Sequence, residues 1–196
     1  SGNRFTQRRD RGFVAELAEE TGEFIQIVNY NLRGSQYAIA GTVAGLESLE
    51  AAIEARRARI NGKPAYILVP GIDVPFHSSE LHAGVDDFRQ RLDDLLPETI
   101  DESLLIGRYI PNLVPRLFTL DRAYVEEVAD LVDSPLLKPV LEDWATWEAT
   151  PARLGRALLV ELLAWQFASP VRRIETQDLL FGSPEQGGPG SEQFVE

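Results

Sequence analysis

The chain has 196 residues, 44% of them apolar and 26% charged, which is enough material for one globular unit or two small lobes with a real core. Its formal charge of −12 at pH 7 argues against nucleic acid as a partner, because phosphate backbones need clustered Lys and Arg, and the basic runs here (Arg8-Arg9, Arg56-Arg57-x-Arg59, Arg172-Arg173) are short. Cysteine is absent, which excludes disulfides, thiolate metal sites and cysteine nucleophiles; no apolar stretch is long enough to span a bilayer and no signal-peptide pattern opens the sequence, so a cytoplasmic setting is expected.

Residues 1–9 are polar and read as a flexible N-terminal segment. From Asp10 the spacing of Phe13, Val14, Leu17 and Ala18 predicts a helix that stops at Gly22. FIQIVNY (24–30) and QYAIAG (36–41), separated by Arg33-Gly34-Ser35, predict an antiparallel hairpin. Thr42 is placed to cap a long helix with an apolar stripe of Leu46, Leu49, Ile53 and Ile60, which Asn61-Gly62 ends. AYILV (65–69) reads as a short buried strand. The order α-β-β-α-β over residues 10–70 is one strand short of a ferredoxin-like βαββαβ unit.

After the loop GIDVPFHSS, Ser79 is a candidate cap for a helix carrying Leu81, Val85, Phe88, Leu92 and Leu95. LLIGRYI (104–110) reads as a strand. Thr119 and Ser134 are expected to begin helices, and Thr150-Pro151 opens a third, ARLGRALLVELLAWQF, apolar nearly all round and so expected at the centre of the packing. Ser169-Pro170 breaks it, and VRRIETQDLLF forms another. Residues 182–192, GSPEQGGPGSE, read as a flexible loop, and 193–196 as the start of a further strand. The absence of Met, with an apolar end at QFVE, leads us to expect a piece of a longer polypeptide.

Among chemical candidates His77 stands out, because it lies at a strand-to-helix transition beside the apolar Phe76 and an imidazole can take and return a proton near neutral pH. From the local residues two readings stand, a catalytic base or a hydrogen-bonded loop histidine. His77 and His82 are poorly spaced for a shared metal on one helix face, and no second pair supports them. Ser78 and Ser79 are adjacent and their side chains diverge, so neither is favoured as a nucleophile. Asp86-Asp87 and Asp93-Asp94 fit a solvated helix surface. The sequence holds no G-x-S-x-G elbow, no P-loop and no G-x-G-x-x-G. His77 therefore has no visible nucleophile to activate.

Read together, VNYNLRGSQYAIAG (28–41), VPFHSS (74–79) and LLAWQFASPV (162–171) resemble, in order and spacing, the acyltransferases of fatty acid and polyketide synthesis, including the bacterial malonyl-CoA:acyl-carrier-protein transacylases. GIDVPFHSS, LIGRYIPNLV and ELLAWQFASPVRRIETQDLLF are similar in particular to the malonyl/palmitoyl transferase domain of type I fatty acid synthase. The resemblance covers about residues 10–181 plus QFVE. It implies an α/β (α+β) fold in which an incomplete ferredoxin-like lobe (10–70) is followed by the C-terminal part of an α/β-hydrolase-like acyltransferase core (71–181).

It also implies a mechanism. A serine attacks an acyl-CoA thioester, and the acyl-enzyme passes its group to the phosphopantetheine thiol of acyl carrier protein or to CoA. His77 would be the base and then the acid, oriented by a main-chain carbonyl that would belong to Gln166. Phe76 matches a position where Phe accompanies malonyl rather than methyl-branched substrates. Asn29, Asn31 and Asn112 match loop positions near the cleft, where lining the cleft and capping local backbone are equally open readings. No cofactor is expected to be bound by this segment; malonyl-CoA, acyl-CoA and carrier protein are the implied substrates and partners, and basic spots such as Arg56-Arg57 or Arg172-Arg173 the implied contacts for an acidic carrier. The sequence departs from the family in lacking the G-H-S-x-G serine, the arginine that pairs with the malonyl carboxylate and the oxyanion-hole loop. The rest of a multifunctional, oligomeric synthase would supply them, and this chain alone is expected to be inactive. The alternative reading is a non-catalytic scaffold or docking segment of a multienzyme.

Overall fold

The structure is a computed structural model, and it describes residues 3–132, 134–186 and 188–192. The N-terminal elements are α1 (Asn3–Thr21), β1 (Ile25–Leu32), β2 (Gln36–Gly41) and α2 (Val43–Ile60). They are followed by α3 (Val85–Leu95), α4 (Arg122–Val132), α5 (Leu137–Glu142), α6 (Trp144–Glu148), α7 (Pro151–Gln166) and α8 (Arg173–Phe181). The architecture is α+β: among the described residues the sheet is two-stranded and antiparallel, α1, α2 and α8 pack on it, and the other helices pack on one another. No described helix is long and apolar enough to cross a membrane.

The first four elements follow their local chemistry. Gly22 ends α1 at φ +67°, a conformation that glycine adopts without a Cβ clash, and its amide donates to the Ala18 carbonyl at 2.9 Å. Thr42 caps α2 by accepting from the Gly45 amide at 3.0 Å, and Asn61 closes it in the left-handed region. A Cβ on Gly45 would lie 2.9 Å from both the Phe24 carbonyl oxygen and Ile25 Cγ1, so only glycine lets the first turn of α2 approach β1 this closely. Register shifts flank Asn29 and Tyr30 in β1. They offset the two-residue alternation so that Ile25, Ile27 and Tyr30 all reach one core, with Val14, Leu49 and Ile174.

A second core joins α4, α5 and α7 through Phe118, Tyr124, Val128, Val140 and Leu158. A third, smaller one places Val85 of α3 against Ala164 and Ala168 at the end of α7. The connection from α7 to α8 then crosses to the hairpin. Val171 exchanges backbone hydrogen bonds with β1, its amide donating to Val28 O at 2.8 Å and its carbonyl accepting from Tyr30 N at 2.9 Å. Because Ile174 of α8 enters the hairpin core, the packing does not divide at residue 70 as the sequence order suggests.

Five expectations need correction. The helix expected from Asp10 begins at Asn3. AYILV (65–69) is not a strand: Ile67 is 86% exposed, and Leu68 and Val69 are also exposed. A strand needs a ladder partner, and Val171 already occupies the free side of β1 at Asn29. LLIGRYI (104–110) is a run of turns, with the Ile106 amide donating to Glu102 O at 3.0 Å, Tyr109 to Leu105 O at 2.9 Å, and Gly107 at φ +71°. Most of its amides are satisfied within four residues, and that of Gly107 by the Phe118 carbonyl at 3.0 Å, instead of across a sheet. Thr119 does not begin a helix; its Oγ1 accepts from the Asp121 amide, and the Asp121 carbonyl takes the first bonds of α4. Ser79 is not a side-chain cap but starts a 3-10 turn ahead of α3. Ser134, by contrast, accepts from the Leu137 amide at 3.0 Å, as its position suggested.

Tyr124 is fully buried and its hydroxyl has no partner among the described residues. Burial, reinforced by Tyr109 and Glu127, pushes its pKa well above the ordinary 10.0, and burial also raises that of Tyr109. The folded state then holds these protons more tightly than the unfolded chain does. The stabilisation is complete below pH 10 and is lost as pH climbs from there towards the folded values. Denaturant melts are expected to show falling stability above about pH 10. Ultraviolet titration is expected to show a late-ionising subset of the five tyrosines, and uniform ionisation with flat stability contradicts the account.

Candidate active site

The loop between α2 and α3 is fastened residue by residue. The Phe76 amide donates to Val74 O at 2.8 Å, closing a tight turn around Pro75. Ser78, wholly buried, donates its hydroxyl to Pro75 O at 2.6 Å. Ser79 donates from both its amide and its hydroxyl to Gln26 Oε1 on β1, each at 3.0 Å. Both hydroxyls are thus committed to holding the loop, which agrees with the sequence argument against either as a nucleophile.

His77 sits between these fastenings at φ +63°; among the described residues only it and Asn61 are non-glycine residues in the left-handed region. For a residue with a Cβ that conformation costs about 1–3 kcal/mol and persists only where surrounding contacts impose it. Here the contacts come from the end of α7. The His77 amide donates to the Phe167 carbonyl at 2.6 Å, and His77 Nδ1 lies 2.8 Å from the Gln166 carbonyl oxygen. A carbonyl can only accept, so Nδ1 must carry a proton, and in the neutral ring the lone pair is then on Nε2. His77 is half-buried, so it is not sealed from the surface. Among the described residues no carboxylate bonds to it, and no three His, Asp or Glu side chains gather as metal ligands.

The structure brings His77 and Gln166 together, and Phe76, the preceding residue, is 53% exposed. Asn29 and Asn31 are half-buried on β1, and Asn112 is half-buried after Pro111. Among the described residues no side-chain hydrogen bond ties any of the three to His77. Among the described residues Asn29 is linked to the site through its strand, by way of Gln26 on one side and Val171 on the other. Within the basic pairs, Arg57 is held by Glu54 at 2.7 Å, and Arg172 by Glu175 and the Leu113 carbonyl, both at 3.3 Å.

Sequence reasoning missed several participants. Phe167 acts through its carbonyl, which no side-chain identity advertises. Gln26 was hidden in an ordinary strand alternation. Glu161 had a signal, as the one acid of its helix, set within the apolar run from Ala157 to Trp165. It is completely buried and receives Arg89 through Nε at 2.7 Å and Nη2 at 3.0 Å, and Trp165 Nε1 at 2.9 Å. Those hydrogen bonds raise the Arg89 pKa, against a smaller opposing effect of burial.

No protein-family model matches the chain. It is 40% identical over 200 residues to fatty acid synthase 2 of Mycosarcoma maydis, an alignment that takes in 86% of this chain and 5% of that protein. It is 32% identical to fatty acid synthase beta subunit TOXC of Cochliobolus carbonum, covering 69% of this chain and 8% of that one. It is 30% identical to the fatty acid synthase subunit beta of Schizosaccharomyces pombe, covering 74% and 9%. The chain thus spans less than a tenth of the length of each of these relatives. It is a homologue of one segment of the fungal fatty acid synthases.

Proposed function

We propose that this segment carries the histidine of an acyltransferase site that moves malonyl and long-chain acyl groups between CoA and acyl carrier protein. The observation that carries the reading is the hold on His77: a half-buried histidine, its Nδ1 bonded to a main-chain carbonyl and its Nε2 left as the base. Nε2 takes the proton from a serine hydroxyl as the serine oxygen bonds to the thioester carbon. It returns that proton to the departing CoA thiolate as the carbon–sulfur bond breaks. In the second half a carrier-protein thiol gives its proton to Nε2 and attacks the acyl-serine ester, and the serine recovers a proton as it leaves. Gln166 keeps the tautomer fixed without placing a buried negative charge beside the ring.

On this reading the serine comes from elsewhere in the synthase, since the chain contains no G-x-S-x-G. The α1-β1-β2-α2 unit is the ferredoxin-like lobe, α3 to α8 belong to the acyltransferase core, and the assembled multienzyme works in the cytoplasm. The chain alone is inactive. Phe76, half-exposed beside His77, forms an apolar wall that accepts a straight acyl chain and crowds an α-methyl group.

In a synthase carrying this segment, His77→Ala is expected to abolish formation of the malonyl-serine ester from radiolabelled malonyl-CoA, and labelling at the unaltered rate would sink the catalytic reading in favour of a scaffold. Phe76→Ala is expected to raise the preference for methylmalonyl over malonyl groups by about tenfold, the usual worth of one methyl in an apolar pocket. An unchanged ratio of kcat/KM values would remove Phe76 from substrate selection.

A further inference from the structure

The inference that follows rests on the reading of His77 as the acyltransfer base. Both groups that hold His77 are carbonyls at the C-terminal end of α7, where a helix leaves its last carbonyls without internal partners. Their positions depend on how the last turn of α7 is anchored, and the loop that carries His77 does not supply that anchor. Glu161 does so from one turn upstream. Its carboxylate gathers Arg89 of α3 and the indole N–H of Trp165, the residue immediately before Gln166. Arg89 is also bonded to Asp86. On the other side of Gln166, Phe167 meets Phe88 of α3 edge to face at 5.2 Å. The Trp165 ring takes His82 at 5.3 Å. Both neighbours of Gln166 are therefore clamped against the stretch of chain that follows the His77 loop.

A buried charge pair is a costly way to hold two helices together, because apolar residues of similar volume stabilise as well or better. What a bidentate pair adds is direction, since two parallel N–H···O bonds fix rotation as well as distance. We propose that Arg89, Glu161 and Trp165 form a positioning network that sets the rotation of the last turn of α7, so that the Gln166 carbonyl stays aimed at His77 Nδ1.

The chain has two histidines, so long-range proton–nitrogen NMR spectra of the full chain resolve both rings. At about pH 8.5, where an ordinary imidazole is neutral, His77 is expected as a single tautomer protonated on Nδ1. Glu161→Gln keeps the side-chain shape and removes the charge; it is expected to give a mixture of His77 tautomers with an unaltered far-ultraviolet circular dichroism spectrum. Trp165→Phe keeps an aromatic ring but removes the indole N–H along with part of the packed side chain, is expected to act in the same direction, and decides the matter if Glu161→Gln does not fold. In a synthase carrying this segment, the same variant is expected to lower kcat for malonyl transfer about ten- to a hundredfold with KM unchanged, the cost of a small misplacement. A tautomer that does not change overturns the proposal, and so does a kcat that does not fall where His77→Ala abolishes transfer. His77→Ala separates the two readings: transfer retained in that variant removes the catalytic role, while the spectra still decide whether the network orients the ring.

Discussion

Two carbonyl oxygens at the end of α7 hold one histidine, and the local structure of both halves of the molecule serves that contact. The Phe167 carbonyl takes the His77 amide and the Gln166 carbonyl takes Nδ1, so the backbone and the ring of one residue are fixed by consecutive positions of one helix. Neither carbonyl has an intrahelical partner to give up, which makes a helix C-terminus an inexpensive place to bind two donors. The positive φ of His77 is what aligns both donors with it, and the turns closed by Phe76 and Ser78 keep the loop in that shape.

Helix α7 can present those carbonyls because it is fixed along its length. Leu154, Leu158 and Leu162 pack into the core with α4 and α5, while Ala164 and Ala168 meet Val85 of α3. Small residues at 164 and 168 let α3 come close, and the wholly buried Glu161 is joined to Arg89 at that same contact. Breaking such a pair costs about 3–5 kcal/mol, because an unpaired charge is left in a low-dielectric interior. The pair therefore ties α3 and α7 together more selectively than apolar packing alone.

The hairpin belongs to the same assembly. Gln26 of β1 accepts twice from Ser79, and Val171, five residues after Gln166, pairs with the other edge of β1. The strand is thus a common backing for the His77 loop and for the chain leaving α7. This joint use explains why α8 contributes Ile174 to the hairpin core instead of extending the helical layer.

The sequence by itself determined the elements whose partners are close along the chain. Caps at Thr42 and Ser134, stops at Gly22 and Asn61, the hairpin across Arg33-Gly34-Ser35 and the Pro-led α7 all depend on bonds within a few residues, so local chemistry is enough. His77 was legible as a candidate from its type and loop position, and its pairing with Gln166 only through resemblance to a family. Tertiary structure decided whatever needs a distant partner. An apolar run such as AYILV becomes a strand only beside another strand, and LLIGRYI turned on itself because most of its amides found nearer acceptors. The Phe167 carbonyl, the Gln26 amide and the Arg89–Glu161 pair are contacts across 53 to 90 positions of chain, and no pattern of neighbouring side chains encodes which residues will meet at that distance.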